Sequence, residues 1–269
     1  MTETNSEDRV ARITLEKAFS NFYPDAANAH VYPELTFLAA DSFPQQMHSL
    51  FRFSGRLREE AIVTVAYYGR GHDSAELARL LTEHGSDKAH NHGYTPAYAR
   101  IFAELGNKPL SILEIGLGTN APAAICTMGP QGVPGASVRA FRDFLPNAQV
   151  YGADIDRNIL FSEERIRTAY VDQLDPASFE TMTEELGESR FDLIIDDGLH
   201  SPMANLNTLL FGLKAVKDGG YVVIEDIAAG PRLDIWQMVR NVLDPAVYSS
   251  VLLRGVTTAH LFVVHKKKT

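Results

Sequence analysis

The chain has 269 residues, 45% of them hydrophobic and 22% charged, enough to bury one large core. Its formal net charge of −9, with no basic block beyond the terminal HKKKT, sets the summed field against a polyanion, so nucleic acid is not the expected partner. A lone cysteine, Cys126, excludes an internal disulfide, and no run reaches the roughly 18 apolar residues of a membrane span. With an N-terminus, MTETNSEDRV, that is acidic where a secretory leader is basic and then apolar, the expected location is cytoplasmic. In chain order, residues 1–65 give a mixed signal, and DSAELARLLTEHG and TPAYARIFAELG follow as amphipathic helices. The expected organisation is an N-terminal helical extension over 1–107, packed as a lid on a sheet domain over 108–269.

From Ser111 onward the runs SILEIGL, AQVYGADI, RTAYVDQ, FDLIIDDG and GGYVVIEDI read as strands. Helices are expected between them near 136–145, 176–186, 202–217 and 231–243, with Pro176 and Pro202 in first turns. Alternating β and α units make a parallel sheet covered on both faces. The last two strands, SVLLRGV and AHLFVVHK, are separated only by Thr257 and Thr258, which leaves no room for a crossover helix, so they pair antiparallel. The predicted fold is α/β: a doubly wound, Rossmann-like sheet of seven strands with an antiparallel last strand.

The loop after the first strand, ILEIGLGTNA, lets backbone approach a ligand at Gly116 and Gly118. Gly116, Gly118 and Ala121 match G-x-G-x-x-A, so an NAD-dependent oxidoreductase is one reading. Glu114, ahead of the glycines, favours another, because an acid-x-Gly-x-Gly loop and an antiparallel final hairpin resemble class I S-adenosylmethionine (SAM) methyltransferases. On that reading Glu114, Gly116, Gly118 and Asn120 belong to the cofactor loop, and Asp154 ends the second strand as acceptor for the ribose hydroxyls. Asp172 and Gln173, ending the third, are placed for the adenine edge.

Asp197 ends the next strand and Glu225 and Asp226 the one after it. Consecutive strand ends lie side by side, so three carboxylates converge. Left unpaired in a cleft they repel, and oxygen donors without cysteine suit Mg²⁺. Asp196 stays open between orienting His200, binding metal through water and capping the following helix. The spacing of His84, His90 and His92 lacks matching cysteine or carboxylate partners and is a poor match to a metal cluster.

Read in order, GSDKAHNHGY, EIGLG, SVRAFRDFLP, YGADI, VDQLD, IIDDGLH and GGYVVIEDI resemble the metal-dependent sugar O-methyltransferases of macrolide biosynthesis, the macrocin and mycinamicin type, over about residues 84–227. The resemblance implies SAM-dependent, Mg²⁺-dependent methylation of a sugar hydroxyl on a glycosylated natural product or oligosaccharide, by a homo-oligomer. It assigns Asp197, Glu225 and Asp226 to Mg²⁺, His200 to the general base, and Ser137 to a cofactor contact with Arg139 beside it. Ser86, Lys88 and Tyr94 become pocket residues. The family's serine before the histidine is Leu199 here. A catechol-type phenolic acceptor ranks second, because the asparagine ligand and lysine base usual in such enzymes are not evident.

Overall fold

The computed structural model describes residues 32–57, 61–122 and 124–268. The part of the expected extension in residues 1–31 lies outside them. The chain divides into two compact units, 1–58 and 59–269. In the first, helix α1 (Tyr32–Phe53) runs 22 residues with Pro44 inside it and leaves Leu50 and Phe53 exposed.

The second unit is built on a nine-stranded sheet of order β1-β8-β9-β7-β6-β2-β3-β5-β4. Its seven longer strands are β2 (Ser111–Ile115), β3 (Gln149–Asp154), β5 (Ile166–Tyr170), β6 (Phe191–Asp196), β7 (Val216–Ala228), β8 (Tyr248–Arg254) and β9 (Ala259–Lys266). The expectation of seven strands is corrected by two short edge strands, β1 (Val63–Thr64) on β8 and β4 (Ser162–Glu163) on β5. Two residues are too few for an alternation to register in sequence. The antiparallel strand is β9, which lies between β7 and β8 and runs against both. All other pairings among the seven are parallel.

Alternation of side chains along the strands supplies two cores. Ile112, Leu193 and Ile195 pack on one face with helices α2 (Val65–Tyr68), α3 (Ala75–His84), α4 (Thr95–Leu105) and α5 (Ala136–Phe144), whereas Leu113, Ile115 and Ile194 face the other with α6 (Ser178–Leu186), α7 (Pro202–Ala215) and α8 (Pro231–Val242). The stripe Leu77, Leu81, Tyr98, Ile101 and Phe102 belongs to the first core. For that reason α3 and α4 fall in the same compact unit as the sheet, and the boundary lies at 58/59, not at the expected 107/108. Pro202 occupies the first turn of α7, behind the N-cap Ser201, whereas Pro176 lies just ahead of α6. No helix among the described residues is long and apolar enough to cross a membrane.

At the end of the sheet remote from the site, Asp192 is buried and accepts from the Ser111 amide (2.9 Å) and Lys217 (2.9 Å), with Lys108 also at 2.9 Å. Burial opposes its charge, but these partners outweigh it and hold the carboxyl below the usual range. A depressed folded pKa stabilises above the unfolded value and loses that contribution as pH falls through the folded one. Asp192→Ala should therefore cost about 2–3 kcal/mol in urea unfolding at pH 7, and the gap to the wild type should narrow below about pH 4.

Candidate active site

The site is assembled at the carboxyl ends of β2, β3, β5, β6 and β7, where open α/β sheets hold ligands. The glycine loop leaves β2 with Gly116 at φ 97° and Gly118 at φ 80°. Gly116 donates to the Ala153 carbonyl (2.8 Å), and the Asp197 amide donates to Ile115 (2.7 Å), so two strand exits lie against each other. A Cβ on Gly116 would fall 2.0 Å from the Asp197 carbonyl oxygen.

These exits open on a cavity of about 720 Å³, within the range of small-molecule sites. Gly116, Gly118, Ser137, Asp154 and Asp172 line one part of it, and Asp197, His200 and Asp226 another. Asp154 accepts from the amides of Leu117 (2.7 Å) and Asp156 (2.9 Å), and burial raises its pKa. Glu114 lies beneath the loop, fully buried, and accepts from the Ser137 hydroxyl at 2.5 Å. Burial pushes its carboxyl up, against the pull of Lys88.

Two expected cofactor residues have other work here. Asn120 donates to the Gly132 carbonyl (2.8 Å), closing the loop on itself, and does not line the cavity. Gln173 is at the cavity wall, but its amide nitrogen donates to Asp196 (2.8 Å) and Thr208 (2.8 Å) and its oxygen accepts from the Leu199 amide (2.7 Å). Both amide hydrogens are used, so the side chain has no donor left for adenine. Asp196 is the hub of this network: fully buried, with its pKa raised by burial, it also accepts from Asn205 of α7 (3.1 Å) and from the Gly198 amide. That answers the three options left open for it. It ties β6 to α7 and to Gln173, while the N-cap itself is Ser201.

The carboxylates do converge, in two groups. Asp197, His200 and Asp226 each offer one ligand atom, all within 4.8 Å of one another. His200 Nε2 lies 3.9 Å from Asp197 Oδ1 and 3.8 Å from Asp226 Oδ2. Both His200 and Asp226 hold left-handed backbone, φ 54° each, and the β7–β9 register shifts between Ile224 and Ile227. Such irregularities re-aim side chains at functional sites.

Glu225 turns the other way. It is fully buried, with Lys88 Nζ 2.7 Å from Oε2 and the Tyr98 hydroxyl donating to Oε1. Lys88 also bonds Asp197 Oδ2 and pairs with Glu114 Oε1 at 3.1 Å. Burial pulls the Lys88 ammonium toward neutrality, but the surrounding acids outweigh it and hold its pKa well above the usual lysine value. Tyr94 donates to Asp226 Oδ1 (2.5 Å), and His92, stacked on Tyr94, reaches Asp226 (3.2 Å) and Asp87 (3.4 Å). Pairing with Asp87 raises the His92 pKa against the effect of burial, and Asp226 adds to the rise. His84 and His90 face Asp143 and Thr82 instead, so the three histidines form no cluster.

MycE methyltransferase from the mycinamycin biosynthetic pathway, in complex with Mg, SAH and mycinamycin VI, matches with TM-score 0.57 and 25% identity over 74% of this chain and 56% of that one. The fold is that of a class I methyltransferase. Among curated proteins, the 8-demethyl-8-alpha-L-rhamnosyl tetracenomycin-C 2'-O-methyltransferase of Streptomyces olivaceus is 31% identical over 182 residues, 67% of this chain and 44% of that protein. The mycinamicin VI 2''-O-methyltransferase of Micromonospora griseorubida is 34% identical over 161 residues, 59% and 38% respectively. The curated relatives are thus sugar O-methyltransferases, and the chain spans under half the length of each of these two. No family model matches.

Of the expected pocket residues, Ser86 and Lys88 line the cavity, whereas Tyr94 meets Asp226 from outside it. Nothing in the motif signals that Lys88 reaches the acids or that Tyr98 joins them. Tyr98 sits on the buried face of α4 among Phe102 and Phe141, where its ring reads as core and only its hydroxyl betrays a polar partner.

Proposed function

We propose that this chain is a SAM-dependent, Mg²⁺-dependent O-methyltransferase that methylates a sugar hydroxyl of a glycosylated natural product. One observation carries the reading: the glycine-loop wall and the Asp197–His200–Asp226 group open into a single cavity, so a methyl donor and a cation-oriented hydroxyl can meet there. The paired carboxylate oxygens of Asp197 and Asp226 fit a hard divalent ion. Asp197 and Asp226 would hold it, and Glu225, the third acid of the expected set, joins only when its Oε2 leaves Lys88. The ion would supply Lewis acidity and orientation to an acceptor hydroxyl.

The chain's own residues do the rest. Ser137 would hold the amino-acid end of the donor, braced from beneath by the buried Glu114 carboxylate, and Asp154 its ribose. His200 Nε2 is too far from either carboxylate for a strong hydrogen bond and so keeps its lone pair for the hydroxyl proton. The donor, when bound, would supply an electrophilic methyl group and leave as S-adenosylhomocysteine, while His200 takes the proton of the acceptor hydroxyl. A lysine-base, catechol-type mechanism is disfavoured because the one lysine among these acids, Lys88, is held in its charged form by them. The reading includes a small-molecule acceptor, a cytoplasmic location and a homo-oligomer.

The test is calorimetric titration with S-adenosylhomocysteine in the presence of Mg²⁺. A Kd on the order of micromolar is expected, followed by a one-methyl mass shift on glycosylated acceptors. Absence of binding, with NAD bound instead, would overturn the reading.

A further inference from the structure

A buried ammonium set among acids that also face a cation site is a rival for that cation. Lys88 Nζ meets Glu114 of β2, Asp197 at the end of β6 and Glu225 of β7, with only 2% of its side chain exposed. This is the point of convergence at which the sequence places a metal ion. Resting on the divalent-ion site of the proposed function, we propose that Lys88 is a positioning residue that competes with the divalent ion for Asp197 and Glu225.

Its effect has two signs. Without a bound ion, Glu114, Asp197, Glu225 and Asp226 repel one another in a weakly screened interior, and Lys88 holds three of them together. With an ion on Asp197 and Asp226, the same ammonium is a like charge a few ångström away that also withholds Glu225. Lys88 therefore stabilises the ion-free strand ends and weakens affinity for the ion. A purely structural lysine would do only the first. The carboxylate oxygens that remain turned toward His200, Asp197 Oδ1 and Asp226 Oδ2, are ones that Lys88 does not contact.

The experiment titrates Mg²⁺ into wild type and Lys88→Met by calorimetry, and melts both with and without saturating Mg²⁺. The Kd for Mg²⁺ should fall at least tenfold in the variant. Its melting temperature should drop without Mg²⁺ and largely recover with it. If Lys88→Met does not fold, K88M/E114Q removes one acid along with the ammonium and should give the same tighter binding. Unchanged or weaker Mg²⁺ binding, or a melting loss equal with and without Mg²⁺, overturns the proposal. Wild-type binding of S-adenosylhomocysteine and Mg²⁺ beside an unchanged variant overturns the role of Lys88 alone, whereas a wild type that binds neither overturns the functional reading with it.

Discussion

Replacing Asp197 with alanine should reduce methyl transfer by roughly 10³-fold or more, because several kcal/mol of Lewis-acid assistance depends on the cation site, while S-adenosylhomocysteine still binds. The fold should survive the change. Lys88 keeps Glu225 and Glu114 as partners, so no buried charge is stranded, and the Asp197 side chain is 23% exposed. Single-turnover rates, calorimetry and melting on the same preparation separate the cases. Parallel loss of turnover, cofactor binding and melting temperature would assign Asp197 to folding instead.

The second large effect is on stability. Gly116→Ala places a methyl group 2.0 Å from the Asp197 carbonyl oxygen and 2.7 Å from the Gly198 amide, both backbone atoms, at a φ of 97°. A left-handed β-carbon costs about 1–2 kcal/mol, and overpacking adds about 1–3 kcal/mol. A total of about 2–5 kcal/mol is a large share of the roughly 5–15 kcal/mol that holds a domain. Gly129→Ala is the control. Gly129 also has a positive φ, 72°, but an added Cβ there meets nothing within 4 Å, so it should cost only the backbone share of about 1–2 kcal/mol. Equal losses for the two in denaturant unfolding would show that backbone strain alone, and not the contact between the β2 and β6 exits, makes Gly116 necessary.

The sheet was legible because its signals are local. Short apolar runs, a two-threonine connection too short for a helix, and acids at successive run ends lead to a parallel sheet with an antiparallel last hairpin and to the convergence of Asp197, Glu225 and Asp226. The roles of those acids were less legible, because adjacent strand residues point to opposite faces and one register shift decides which carboxylate meets the cavity. Here Asp226 does and Glu225 does not. Gln173 is hard to assign for a related reason: an amide at a strand end suits a ligand or a buried hub equally, and its partners Asp196, Thr208 and the Leu199 amide are distant in sequence. Lys88 reaches Asp197 and Glu225 across more than a hundred residues of chain, and no spacing rule spans that gap.

The position of β9 also orders events in time. Because β9 fills the slot between β7 and β8, β7 keeps an open edge until residues 259–266 have been made. Glu225 and Asp226 lie on that strand, so a chain emerging from the ribosome holds its acids beside an unpaired row of amides and carbonyls until β9 follows. Such an edge is open to pairing with other chains. Insertion of one late strand therefore both completes the carboxylate site and closes the route to aggregation.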